Sequence, residues 1–471
     1  MRKKILCFTI GMLSSFYVAA SSEKDEILNG IQNTSKASNA VFQSAQSIND
    51  INEGLLSLEV QLSSNSKDDA QSVISSLKAP ILNQHINSDG NSFYIVTTLK
   101  GLLEISRNNL TKTIKSGSGT NFSSSSGNTY VPTTSLSPSD YKGKGVKVAV
   151  LDSGINNKHP QIQGKIIEEY CFQSINPNNI TLSQAIALEK KYGKDYGACA
   201  NGLKFQQGKD SAVDDNGHGT HVTGIIAASK SSDPNAAPEG DASQAEIISI
   251  KVTNSKGSYL NTDLIDALNL LATDPNLQDV KIINLSLGQD LNLPGSCDKY
   301  VIGDLPKVIE KLTSQGKIIV AASGNEGLTG GEGVPSCLDK TISVAAHSTH
   351  SSPDFQLLGN CGHESLSEDE IICFSNVSKT TDMAAPGHNI ISLNHLSNNT
   401  TIMSGTSQAT PAVTACIARM LEKNPTLSPA DVKIYLQHGG NYIKKAVDSD
   451  AYIPKMDCDA SLDLVPAMTK K

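Results

Sequence analysis

Ser407 lies in the stretch Ser404-Gly-Thr-Ser-Gln-Ala-Thr-Pro411, a small Gly-containing turn that runs into the apolar, helix-forming residues 412–421. A hydroxyl at a helix start sits among free backbone N–H groups and the positive end of the helix dipole, which favour negative charge developing beside it. A serine is a poor nucleophile without an adjacent base. Two upstream segments supply the residue types needed. Val148-Ala-Val-Leu-Asp-Ser-Gly-Ile155 is a β-branched apolar run that ends on Asp152 and a Gly turn. Such a buried strand delivers a carboxylate at its C-terminal end, where α/β proteins build their sites. Asp214-Asp-Asn-Gly-His-Gly-Thr-His-Val-Thr-Gly-Ile-Ile226 sets His218 among glycines at the opening of an apolar helix. Asp, His, Ser is one of the chain orders in which this nucleophilic constellation occurs.

Each residue has a plainer reading when taken singly. Asp152 before a Gly turn can be a turn former. His218 and His221 lie three apart, as metal ligands can, but no Glu companion or third ligand accompanies them. Asn325, between Gly324 and Glu326, can simply occupy a left-handed turn. The adjacent Asp214 and Asp215 read as a solvated loop. Taken jointly and in order, the residues favour catalysis.

The chain resembles the subtilisin-like serine proteases, the subtilases. Beyond the three segments above, Lys281-Ile-Ile-Asn-Leu-Ser-Leu-Gly288 is similar to the family's substrate-binding strand. Val320-Ala-Ala-Ser-Gly-Asn-Glu-Gly327 is similar to its oxyanion segment. Cys373-Phe-Ser-Asn376 and Asp382-Met-Ala-Ala-Pro-Gly387 resemble two further blocks. The resemblance spans roughly residues 140–440 and implies a serine endopeptidase acting on polypeptides. Ser407 would be the nucleophile, His218 the base, and Asp152 the group orienting the imidazole. Asn325 and the Ser407 N–H would receive the oxyanion. Ser286, Leu287 and Gly288 would pair with substrate backbone, and Ala322, Glu326 and Gly333 would line the pocket for the residue before the scissile bond. A Gly at its base leaves room for a large apolar or aromatic side chain. Gln408 departs from the Met common in the family, which bears on efficiency more than on reaction class. A peptide acyl transferase (ligase) and a non-catalytic binding protein on the same scaffold are the alternatives. No cofactor is needed for the chemistry. Many subtilases bind structural calcium after the His helix, but residues 230–243 depart from that pattern and no ligands are named.

A net charge of −8 without Lys/Arg clusters speaks against nucleic-acid or anionic-membrane partners. Arg2-Lys-Lys4 followed by apolar residues 5–20 reads as a signal peptide for secretion or periplasmic export, too short and too polar for a membrane span. Nine cysteines are present. Cys7 would leave with the signal, and the remaining eight allow on the order of a hundred pairings. Proximity and the resemblance favour Cys171–Cys199, Cys297–Cys337 and Cys361–Cys373. That leaves Cys416 and Cys458, either paired or with Cys416 as a buried free thiol.

These groups need a scaffold. Apolar strands at 146–151, 246–252, 280–285, 318–322 and 341–345 alternate with helical segments, which implies an α/β fold: a parallel sheet flanked by helices on both faces. A helix capped at Ser428 runs to about residue 437. Upstream, a strand at 55–62, a helix at 66–77, a strand at 92–98 and a helix from 100 to 107 suggest a small α+β domain. It is similar in position to the family's propeptide, which acts there as folding assistant and temporary inhibitor. The expected divisions are a signal at 1–20, a low-complexity segment at 21–50, the propeptide-like domain at 51–115, a flexible linker at 116–138 and the catalytic domain at 139–471. Self-cleavage is expected between about residues 108 and 138, giving a monomeric mature enzyme.

Overall fold

A computed structural model describes residues 55–79, 81–88, 90–98, 101, 104–105, 108, 110–116, 118–121, 141–175, 182–193, 195–294, 296–298, 300–301, 303–355, 364–444 and 452–467. The signal segment, the low-complexity segment and most of the expected linker lie outside them.

The small N-terminal domain is a four-stranded antiparallel sheet in the order β2-β3-β1-β4. Its strands are β1 (Leu55–Leu62), β2 (Ile81–Ile86), β3 (Ser92–Thr98) and β4 (Thr111–Ser116). Helix α1 (Lys67–Ser76) begins at Ser66, whose hydroxyl accepts from the Asp69 N–H. Leu58, Val60 and Leu62 of β1 pack with Ala70, Val73 and Ile74 of α1, and with Phe93 and Ile95. The expected strands at 55–62 and 92–98 are present. β2 and β4 escaped the sequence reading because Asn, Gln, His and Lys interrupt their apolar positions.

The larger domain is built on an eight-stranded sheet. Its first strands are β6 (Lys147–Asp152), β7 (Ile166–Phe172), β8 (Phe205–Gln207) and β9 (Glu246–Lys251). Then come β11 (Val280–Leu285), β13 (Ile318–Ala322), β15 (Ile342–His347) and β18 (Met383–Pro386). The order is β18-β15-β13-β11-β6-β9-β7-β8, parallel throughout except where β8 runs against β7. Helix α2 (Leu182–Tyr192) lies in the connection between β7 and β8. The other principal helices are α3 (His218–Ala227), α4 (Asn261–Thr273), α5 (Asp304–Ser314), α6 (Thr406–Lys423), α7 (Pro429–Gly439) and α8 (Cys458–Leu464).

Successive side chains of a strand point to opposite faces, and β6 shows the consequence. Val148 and Val150 join the core under α3 and α6, whereas Ala149 and Leu151 join the core under α4 and α5. Both faces are therefore covered, as the near-continuous apolar strands predict. Short pairs complete the fold: β16 (Ser352–Phe355) with β17 (Glu364–Leu366), β19 (Ile390–Leu393) with β20 (Thr400–Met403), and β21 (Tyr442–Lys444) with β22 (Tyr452–Pro454).

One expectation is corrected. Residues 118–121, assigned to the flexible linker, form strand β5 (Ser118–Asn121). It lies in a second sheet ordered β10-β5-β12-β14, with β10 (Ser258–Leu260), β12 (Leu287–Pro294) and β14 (Gly331–Val334). Its Ser/Gly/Thr composition carries no strand signal. Backbone pairing to strands already held by the large domain makes it extended.

The three fully described disulfides are Cys171–Cys199, Cys297–Cys337 and Cys416–Cys458. The last ties α6 to α8, so Cys416 is not a free thiol. Cys361, expected to pair with Cys373, lies outside the described residues.

Candidate active site

Asp152 ends β6, His218 opens α3 and Ser407 lies in the first turn of α6. Asp152 Oδ1 lies 2.7 Å from His218 Nδ1, and both side chains are 1% exposed. The same oxygen accepts from the Ser153 N–H at 2.7 Å. With Nδ1 engaged by a carboxylate, that nitrogen carries the proton and Nε2 is the basic atom. Nε2 is buried without a hydrogen-bond partner. Ser407 Oγ donates to the Ser286 carbonyl at 2.8 Å, and Ser286 Oγ donates to the Ser407 carbonyl at 2.9 Å. The Ser407–His218 hydrogen bond is not formed in this geometry, as is common before substrate is bound.

The start of α3 is held by Asp214, which overturns its reading as a solvated carboxylate. Asp214 is buried. Its Oδ1 accepts from Ser153 Oγ at 2.8 Å, Gly217 N at 2.8 Å and Asn216 N at 3.0 Å. Its Oδ2 accepts from Thr220 N at 2.9 Å and Thr220 Oγ1 at 2.6 Å. Burial pushes this carboxyl up, but the Thr220, Gly217 and Asn216 donors outweigh it, and the net shift is downward. Ser153 Oγ also accepts from Gly219 N at 2.8 Å, so one carboxylate ties the residue after Asp152 to the residues around His218. The approach is close: a Cβ on Gly219 would come 2.3 Å from the Gly154 carbonyl. Asp215 does face solvent, paired with Lys251 at 2.6 Å. His221 is buried and donates through Nε2 to the Ile390 carbonyl at 3.0 Å. Burial, then repulsion from His218, push it down to about 3, so it stays neutral beside the pair.

Asn325 enters from the loop after β13. Its Oδ1 accepts from Thr406 N at 2.9 Å and Thr406 Oγ1 at 3.0 Å. Asn376 clamps the same loop, accepting from Glu326 N at 3.1 Å and Leu328 N at 2.9 Å through Oδ1. Gly324, at φ 112°, allows Asn376 to approach closely. The roles of Thr406, Asn376, Ser153 and Asp214 were not drawn from the sequence, although all four sit inside the motif blocks.

Of the pocket residues, Ala322 is fully buried at the end of β13 and Gly333 donates to the Ser323 carbonyl at 2.9 Å. Glu326 binds the Asn376 side-chain amide. Leu287 and Gly288 pair with β5: Asn121 lies opposite Leu287 and Thr120 opposite Gly288, antiparallel. On its other edge β5 pairs with β10. Gln408 is buried, with Nε2 3.9 Å from Met403 Sδ, and it lines a cavity of about 100 Å³ with Gly224, Ile225, Asp241 and Met456. Among the described residues, no group of three or more His, Cys, Asp or Glu is arranged to hold a metal ion.

The profile of the Subtilase family matches residues 143–449, more than half of the chain. The chain belongs to the subtilase family. Serine protease AprX of Bacillus subtilis (strain 168) is 29% identical over 320 residues, which cover 63% of this subtilase and 61% of AprX. The chain thus spans less than two thirds of that relative. Subtilisin DY of Bacillus licheniformis is 29% identical over 296 residues, 62% of this chain and 82% of that protein. The major intracellular serine protease of Bacillus subtilis (strain 168) is 31% identical over 287 residues, 59% of this chain and 68% of that protein. The solved structure of a cold adapted subtilisin-like serine proteinase aligns with a TM-score of 0.48 and 20% identity, over 69% of this chain and 93% of that chain. The family assignment rests on the profile. Among the described residues, no helix of this subtilase is long and apolar enough to cross a membrane.

Proposed function

We propose that this subtilase is an exported serine endopeptidase that hydrolyses peptide bonds through an acyl-enzyme on Ser407. His218 takes the hydroxyl proton and returns it to the leaving amine, while Asp152 holds the imidazole tautomer. Asn325 Nδ2 and the Ser407 N–H receive the oxyanion. The disulfides fit an oxidising compartment.

The observation that carries this reading is β5. An extended segment pairs through its backbone with Leu287 and Gly288, one residue from Ser286 and hence beside Ser407. That is how a site recognises polypeptide without demanding one sequence. Because the segment belongs to the chain's own N-terminal portion, the same contact blocks the cleft until it is cut and released. We therefore read residues 51–115, with β5, as the inhibitory propeptide. Structural calcium stays an open part of this proposal, without assigned ligands.

The test is mass spectrometry of the products of one peptide substrate, with the wild type beside Ser407→Ala. Two hydrolysis products from the wild type and none from the variant are expected. A ligated product, or equal activity in the variant, overturns the reading.

A further inference from the structure

We propose that the loop following the His218 helix is closed by the side chain of Gln161, in the role that a bound calcium ion would otherwise fill, so that the loop holds its shape whether or not calcium is present. The inference concerns this loop alone and does not depend on the reading of Ser407.

Helix α3 ends at Ala227, and the chain that leaves it returns against the same turn. Gly240 N donates to the Ala228 carbonyl at 2.9 Å, and Ala242 N donates to the Ile226 carbonyl at 2.8 Å. Residues 229–239, between these anchors, are drawn together by Gln161 from the turn between β6 and β7. Gln161 is 5% exposed. Its Nε2 donates to the Ser229 carbonyl at 2.9 Å and to the Ala237 carbonyl at 2.8 Å. Its Oε1 accepts from the Ala237 N–H at 2.9 Å, and its backbone carbonyl accepts from the Ser229 N–H at 2.7 Å. One residue from the segment after Asp152 thus reaches both sides of the loop after His218.

Structural calcium is expected after the His helix in many subtilases, and this donor set does not fit it. Calcium is held by about six to eight oxygen atoms. Here the Ser229 and Ala237 carbonyls each receive an N–H of the same amide, and a primary amide has only those two to give. The group facing the two carbonyls is the positive end of an amide dipole, which repels a cation. Turned over, the amide would set Oε1 against two carbonyl oxygens and Nε2 against the Ala237 N–H, so its orientation is fixed. The loop's carboxylates are placed elsewhere. Asp233 accepts from the Asn235 N–H at 2.9 Å. Glu239 accepts from Ser243 Oγ at 2.6 Å and lies 3.7 Å from Lys142 Nζ. Asp241 lines the cavity that Gln408 borders.

Hydrogen exchange of the full chain carrying Ser407→Ala tests this, in millimolar calcium chloride and in excess EDTA. The Ala237 amide is read as a ratio to the Ile283 amide of the central sheet, which separates the loop from any effect of calcium bound elsewhere. The ratio should be no lower in calcium than in EDTA. A ratio lower by about 10-fold or more in calcium overturns the proposal. Gln161→Met keeps the length of the side chain and removes its hydrogen bonds. The Ala237 amide should then exchange about 10-fold or more faster in both buffers, and the melting midpoint should fall by about 3–8 °C. An Ala237 amide unchanged in this variant overturns the closure by Gln161. Gln161→Glu replaces the two N–H donors by oxygen facing the same carbonyls. There, calcium should slow the Ala237 amide by about 10-fold or more relative to EDTA. Equal exchange in the two buffers overturns the claim that the amide stands in for the ion. The wild-type comparison in calcium and EDTA decides the matter even where a variant fails to fold.

Discussion

Asn325 Oδ1 accepts both the backbone N–H and the hydroxyl of Thr406, at 2.9 and 3.0 Å. An amide oxygen held in this way leaves its NH2 as the end available to the cleft, so Thr406 orients the proposed oxyanion donor.

Asn325→Leu should lower kcat by about 100- to 1000-fold with little change in KM, the magnitude taken over from the corresponding donor of subtilisin itself. Thr406→Val keeps the backbone donor and loses the hydroxyl, and a smaller fall of about 10-fold is expected. Steady-state kinetics on one peptide substrate checks both. A change confined to KM in either variant would remove the oxyanion role.

Asp214 should act on catalysis through position. In Asp214→Asn, one acceptor atom becomes a donor facing either Thr220 or the Ser153, Gly217 and Asn216 group. Stability should fall by about 1–3 kcal/mol for a buried donor left unmatched, and kcat should fall more than KM rises. The folded carboxyl is shifted down, so its contribution is present above the ordinary value of 3.8 and is lost as pH falls below it. Denaturant melts at pH 7 and pH 3 check this: the gap between wild type and variant should narrow at pH 3.

The N-terminal domain should stay docked above about pH 4 and loosen towards pH 2. Asp304, at the start of α5, accepts from Ser88 N at 2.9 Å and lies 3.1 Å from His85 Nε2, both on the N-terminal domain. Burial pushes its carboxyl up, but the His85 and Ser88 hydrogen bonds hold it down at about 2. A depressed carboxyl stabilises above its ordinary 3.8 and ceases to do so through about 2. In the Ser407→Ala background, hydrogen exchange at the Ser88 amide should accelerate over that window. Asp304→Ala should produce the same acceleration at pH 7.

Cys416 and Cys458 are separated by 42 residues in sequence. Replacing both with Ser should cost about 4 kcal/mol if the bond acts mainly by restricting the unfolded chain. Because Cys416 lies nine residues beyond Ser407 on the same helix, about 13 Å along its axis, kcat below the melting temperature should be nearly unchanged. Equal melting midpoints with and without the bond would count against the entropic account.

The apolar strands at 280–285 and 318–322 were legible at their observed boundaries, because a sheet buried on both faces leaves near-continuous runs. The N-cap of α1 at Ser66 was legible for a local reason, a side chain three residues from its N–H partner. Asp214 was misread because a carboxylate in a Gly-rich loop carries no mark of its burial. Its donors Ser153 and Thr220 are set by the end of β6 and the start of α3, 61 and 6 residues away.

By itself the sequence determined which residue types are available and in what order: Asp152, His218, Asn325 and Ser407 within blocks that identify a subtilase. Local pattern suffices there, since strand ends and helix starts are written in neighbouring residues. What pairs with Leu287 and Gly288 was decided only by tertiary structure. Ser118–Asn121 has the composition of a linker and becomes a strand because β10 and β12 offer it unpaired backbone on both sides. Backbone hydrogen bonds do not depend on side chains, so no reading of side chains could have found it.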